Sequence, residues 1–137
     1  MPSDMTNSKD RDTKPVETLT DVAPRGTRIL AVAPLGALET LLRASDIGGI
    51  MVVPYDMLTA TILEEILPDL ILAPLLAPSF DIVDVGARLN AIGFRGPLRA
   101  FAPPLPDAVA VVREVRSQFQ GIDFALVECR TEQEISG

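Results

Sequence analysis

The sequence predicts an α/β domain built on a central parallel sheet, and three observations carry that expectation. Short apolar runs recur along the chain, each too short for a helix and bounded by turn-forming residues. Longer stretches with apolar residues at helical spacing separate them. Proline stands just beyond four consecutive runs, at Pro34, Pro54, Pro74 and Pro103, which aligns those strand ends on one edge of the sheet.

Residues 1–26 mix Ser, Thr, Asp, Lys and Pro without helix or strand periodicity and read as a flexible N-terminal arm. Its only spaced apolar residues are Val16, Leu19 and Val22. Arg28 to Ala33 reads as the first buried strand, and Pro34-Leu35-Gly36 leads into a helix with Leu38, Leu41 and Leu42 on one stripe, ended by a turn at Gly48-Gly49. Ile50 to Val53 is the second strand. Asp56 is placed to cap a helix that buries Leu58, Ile62, Leu63, Ile66 and Leu67, and Pro68 stops it.

Leu70 to Ala73 is the central strand. Ser79 is the expected N-cap of the next helix, in which Ile82, Val85, Leu89 and Ile92 face the core and Gly93 is the stop. Pro97 to Ala102 forms the fourth strand. Asp107 caps a helix with Val111, Val112, Val115 and Phe119 inward and Arg113, Glu114, Arg116 and Gln118 solvated. Ile122 to Val127 is the fifth strand, and residues 129–137 form a short C-terminal tail. Residues 27–128 are thus expected to make one flavodoxin-like domain, a five-stranded parallel sheet in order 2-1-3-4-5 with right-handed crossovers and helices on both faces.

Composition narrows the function. A chain of 137 residues with 47% apolar content is long enough for a single core without disulfides or metals. The formal net charge of −7 argues against nucleic acid, because phosphate contact needs clustered Lys and Arg, and both lysines, Lys9 and Lys14, lie in the arm. The chain has no histidine, so the commonest general base and metal-binding nitrogen are missing throughout. Cys129 is the only cysteine, which excludes an intrachain disulfide and a cysteine-clustered metal site and leaves it as a small semi-buried residue. No run approaches the roughly 18 apolar residues of a membrane span and the first residues are polar, so a cytoplasmic location without membrane contact is expected.

From Thr27 to Val127 the chain resembles the receiver domain of two-component response regulators. The likeness lies in Pro68-Asp69-Leu70-Ile71-Leu72 followed by Ala77-Pro78-Ser79-Phe80-Asp81, then Leu89, Gly93 and Pro97 to Ala102. Receivers hold Mg²⁺ with two acids after the first strand, and the matching positions are Ala33 and Pro34. The phosphoacceptor aspartate aligns with Pro74, and the hydroxyl residue after the fourth strand aligns with Ala102. The lysine expected near the end of the fifth strand has no counterpart, the nearest position being Glu128. A carboxylate must attack the phosphoryl donor, acids must hold the cation, and hydroxyl and ammonium donors must neutralise the phosphoryl oxygens. Proline and alanine do none of this.

The resemblance therefore implies a degenerate, phosphorylation-incompetent pseudo-receiver. The expectation is a non-enzymatic module with no cofactor or metal, acting by protein–protein contact in bacterial-type signalling, with homodimerisation as its specific form. The strand-end rim gathers Leu35, Tyr55, Leu75, Leu76, Pro78, Phe80, Pro103, Pro104 and Leu105, an apolar surface suited to a partner. A receiver's final helix is expected to be missing, which would leave one sheet face under-covered. Arg99 shares that face with Phe101 and is positioned to pair with Asp123, so these three mark the candidate dimer face. The alternative is a small-ligand sensor using the apolar strand-end pocket, with Tyr55, Ser79 and Arg95 as polar anchors. Asp81 and Asp84, the only acidic pair near the rim, read as solvated first-turn charges.

Overall fold

In the computed structural model, which describes residues 14–18, 26–36, 38–39 and 50–129, one parallel sheet organises the chain. Its strands are β1 (Val16–Glu17), β2 (Ile29–Val32), β3 (Ile50–Val53), β4 (Leu70–Pro74), β5 (Pro97–Ala102) and β6 (Asp123–Glu128). The helices are α1 (Ala60–Ile66), α2 (Ile82–Ile92) and α3 (Ala108–Gln118), with a 3₁₀ turn at Tyr55–Met57 before α1. The sheet order is β1-β6-β5-β4-β2-β3, with every pairing parallel. This architecture is compatible with a flavodoxin-like arrangement.

The expected five-stranded sheet is corrected to six strands, and the full order changes with it. The additional strand, β1, comes from the stretch expected to be a flexible arm. It pairs outside β6, Val16 opposite Leu126 and Glu17 opposite Val127, and the Leu126 N–H donates to the Pro15 carbonyl at 2.8 Å. Arg116 of α3 fastens the same edge: it donates through Nε to the Phe124 carbonyl at 2.9 Å and through a terminal nitrogen to the Lys14 carbonyl at 3.4 Å. Arg116 is half-buried and was expected to be solvated. Residues 1–13, 19–25 and 130–137 of the expected arm and tail, and Leu41, Leu42, Gly48 and Gly49 of the first expected helix, lie outside the described residues.

Side chains alternate across the sheet and divide the core in two. Leu30, Val32, Ile71, Ala73, Leu98, Ala100, Phe124 and Leu126 pack beneath residues of α1, α2 and α3, so all three helices cover one face. Ile29, Ala31, Leu70, Leu72, Phe101 and Val127 point the other way, where the helical residue Leu38 packs on them. The three-helix face is tight at one crossing. A Cβ on Gly86 of α2 would lie 2.6 Å from the Phe119 ring, so this glycine permits the helices' close approach.

Local chemistry sets the helix ends, and it moves two expected caps. Thr59, not Asp56, caps α1 by accepting from the Ile62 N–H at 3.3 Å, while Asp56 sits in the 3₁₀ turn. Asp81, not Ser79, caps α2 in a reciprocal box with Asp84, both bonds at 3.0 Å. Asp107 caps α3 as expected, and Gly93 ends α2 with φ of +99°. Leu67, expected in the core, is the left-handed C-cap of α1 and is exposed.

Among the described residues, the second face carries one buried charge. Arg99 is 5% exposed, and its Nε donates to Glu17 Oε1 at 2.7 Å. Its terminal nitrogens reach the carbonyl oxygens of Leu98 and Asp123 and, at 3.4 Å, the Asp123 carboxylate. A guanidinium this deep is tolerated because its donors are spent on nearby acceptors. Replacing Glu17 by Ala should lower unfolding free energy by roughly 2–4 kcal/mol, since it leaves a buried cation under-compensated. Urea denaturation checks this, with Glu17→Leu/Arg99→Met expected to recover most of the loss; a Glu17→Ala midpoint equal to wild type would contradict it.

Candidate functional site

The carboxyl ends of β2, β4, β5 and β6 meet at one edge, the position at which open parallel sheets usually present their sites. Pro74 ends β4 and is buried. The Leu75 N–H donates across to the Phe101 carbonyl at 3.0 Å, so the Pro74 nitrogen, one residue earlier, faces the β2 side. There the ladder has already ended at Ala31 opposite Leu72, and no donor is required of the proline. Beyond β2, Gly36 takes φ of +54° and turns the chain toward Leu38. Beyond β6, the Cys129 N–H donates to the Ala102 carbonyl at 2.8 Å and holds the thiol under β5.

These ends enclose a depression of about 300 Å³. Pro34, Leu35 and Gly36 form one wall, Pro74 and Leu76 the second, and Phe101, Ala102, Pro103 and Cys129 the third, with Leu38 at the base. Three of the four positions that align with receiver chemistry, Pro34, Pro74 and Ala102, are thus brought together, while Ala33 is half-buried beside them and its N–H donates to the Val53 carbonyl. No carboxylate, amine or hydroxyl side chain among the described residues lines the depression. Among the described residues, no group of three or more Cys, Asp or Glu side chains is placed to hold a metal ion.

The expected rim divides into three parts. Leu35 and Pro103 line the depression, Leu75 and Leu105 line a separate groove beside α2 and α3, and Leu76 borders both. Leu76 is 77% exposed and forms the ridge between them. It is held by its bridge to Asp81 and by the Ile82 N–H donating to the Leu75 carbonyl at 3.0 Å. Pro78 and Pro104 are exposed, and neither lines a cavity described here.

Tyr55 and Phe80 leave the rim by packing on each other. Their rings stack at 4.6 Å and Phe80 is buried. The Arg88 guanidinium lies 4.2 Å from the Tyr55 ring centroid and donates to its carbonyl, and the Tyr55 hydroxyl donates to the Asp84 carbonyl at 3.4 Å. The polar anchors expected for a small ligand therefore do not converge. Ser79 is exposed and lines neither cavity, and Arg95 is at the opposite end of the sheet, hydrogen-bonded to Asn90 and packed on Gly121.

The residues expected on a dimer face differ in exposure. Arg99 and Phe101 are only 5% and 7% exposed within the single chain, and the Arg99 charge is spent on Glu17 and Asp123. The pairing of Arg99 with Asp123 holds, but Asp123 alone of the three is exposed. Two site features escaped the sequence reading: Glu17, hidden in a stretch read as an arm, and the groove walls on Val83, Ala110 and Val111. No local pattern points to Glu17, because β1 is two residues long and its partner Arg99 is distant in sequence.

With fold and site described, the comparisons add no family: no protein-family model matches the chain, and no curated protein matches it. What the fold and site define is an α/β domain with an apolar strand end. Among the described residues, Cys129 is the depression's one titratable lining group. Burial pushes the thiol up from about 9.0 to about 11, against a smaller lowering by its hydrogen bond with the Ala102 backbone, so it stays a neutral thiol at physiological pH. Because the unfolded thiol ionises near 9.0 and the folded one near 11, the unfolded state binds fewer protons between those values. Stability is accordingly expected to fall as pH rises through that window. Chemical denaturation across it should show a steeper loss for wild type than for Cys129→Ala; equal slopes would contradict the buried neutral thiol.

Proposed function

We propose that this domain is a pseudo-receiver that works by protein–protein contact at its strand ends instead of by phosphotransfer. One observation carries the reading: the depression where a receiver would bind Mg²⁺ and phosphate is walled by Pro34, Pro74, Ala102 and Pro103, with no charged side chain among its described lining residues. Those described lining residues include no carboxylate to accept a phosphoryl group or hold a hard cation, and no cationic or hydroxyl side chain to neutralise an oxyanion. What remains is an apolar concavity beside a projecting apolar ridge at Leu76, on prolines that restrict the backbone before any partner arrives. A bacterial-type signalling role follows from the receiver resemblance alone.

Self-association through the Arg99 face is not part of this proposal, since Arg99 and Phe101 are enclosed by their own chain. A small apolar ligand is the second reading. It is supported by the size of the depression, at the low end of the range of ligand pockets, and weakened by the dispersal of Tyr55, Ser79 and Arg95.

Incubation with a small acyl phosphate and Mg²⁺, followed by intact-mass measurement, should give no phosphoryl adduct; a labile adduct would contradict the proposal. Leu76→Asp should leave stability within about 0.5 kcal/mol, as expected for an exposed position, while abolishing co-purification of a cellular partner. Retained co-purification in the folded variant would place the contact elsewhere.

A further inference from the structure

We infer that the groove between α2 and α3 receives an amphipathic helix of a partner protein that carries Lys or Arg beside its apolar stripe. The inference rests on the contact reading above and assigns a second surface, on the far side of the Leu76 ridge from the strand-end depression. The groove has a volume of about 650 Å³. Its floor is Leu75, Ile82, Val83, Leu105, Val111 and Val115. Among the described residues, its charged lining residues are Asp81, Asp107 and Glu114, all acidic.

The groove's construction selects the occupant. An extended segment gains affinity by adding to a sheet edge, but these walls are mainly helix surfaces, and three backbone N–H groups of the segment leading into α2 are already bonded within the chain. Leu75 N–H donates to Phe101, Ala77 N–H to Phe80 and Ile82 N–H to Leu75. A helix satisfies its own backbone and needs only side-chain contact, as an apolar groove offers. The acidic rim then selects the charge flanking its apolar stripe. Asp81 and Asp107 each accept one bond from their own helix, at 3.0 and 3.3 Å, and Glu114 is exposed on α3 beside Gln118. Their negative field favours cations and disfavours anions. A second copy of this chain, at −7, would set acid against acid, and an anionic lipid surface would be repelled in the same way.

Three helical peptides with one leucine stripe, flanked by Lys, Gln or Glu, provide the test in amide chemical-shift titrations of the full chain. The Lys peptide should perturb Leu105, Ala110, Val111 and Glu114 and bind at least about tenfold more tightly than the Glu peptide. Glu114→Lys, on an exposed position, should weaken it roughly three- to tenfold, and Ala110→Lys, also exposed, serves as a second variant with the same expected direction. Absence of groove perturbation by any peptide, equal binding of Lys and Glu peptides, or unchanged affinity in both folded variants would overturn the inference. Shifts centred on Leu35, Ala102 and Cys129 would overturn the groove assignment and leave the strand-end contact standing, whereas a phosphoryl adduct at the strand ends would overturn that contact reading alone.

Discussion

A parallel sheet buried on both faces must have every polar group it carries paired, and that requirement shapes both ends of this molecule. β4, β5 and β6 are enclosed almost throughout, so a charge on any of them needs built-in partners. Arg99 is that charge. Glu17 answers it from β1, and the sheet gains a sixth strand from a stretch with too little apolar content to dock for its own sake. The ion pair is thus less a source of stability than a specification of register, since a pair of this kind stabilises little beyond its apolar substitute yet is costly to break.

The same requirement is met differently at the carboxyl ends. Where the receiver resemblance would place acids and a hydroxyl, this chain has Ala33, Pro34, Pro74 and Ala102, none needing a charged partner. Pro74 fits because its nitrogen points past the end of the β2 ladder, and Cys129 because burial keeps its proton in place. The outcome is an apolar hollow, a ridge at Leu76 and an acid-rimmed groove beyond it. Binding surfaces are built from such parts, whereas phosphoryl transfer needs charge at its centre.

Much of the fold was legible because period and punctuation agree. Ile50–Val53 and Pro97–Ala102 match their expected limits, and the caps at Asp107 and Gly93 are local chemistry that neighbours do not override. Val16–Glu17 was not legible, because two residues carry no period and their docking is decided by Arg99, more than eighty positions away. The caps at Asp56 and Ser79 failed for a subtler reason: Thr59 and Asp81, later in the same turns, offer equally good oxygens, and the helix begins where the chain has finished turning. The site was half legible. The apolar strand ends could be read position by position, but nothing in the sequence showed that Tyr55 and Phe80 would stack away from the rim or that α2 and α3 would leave a groove.

The central claim is that the strand end acts by touching another protein. Its most direct measurement places a photoactivatable side chain at position 76, on the exposed ridge, and a control at the exposed Glu65 of α1, and maps the crosslinked species after irradiation in the native cell. The account predicts a discrete protein adduct from position 76 and none from position 65. An equal pattern from both positions, or no protein adduct from position 76, would contradict it.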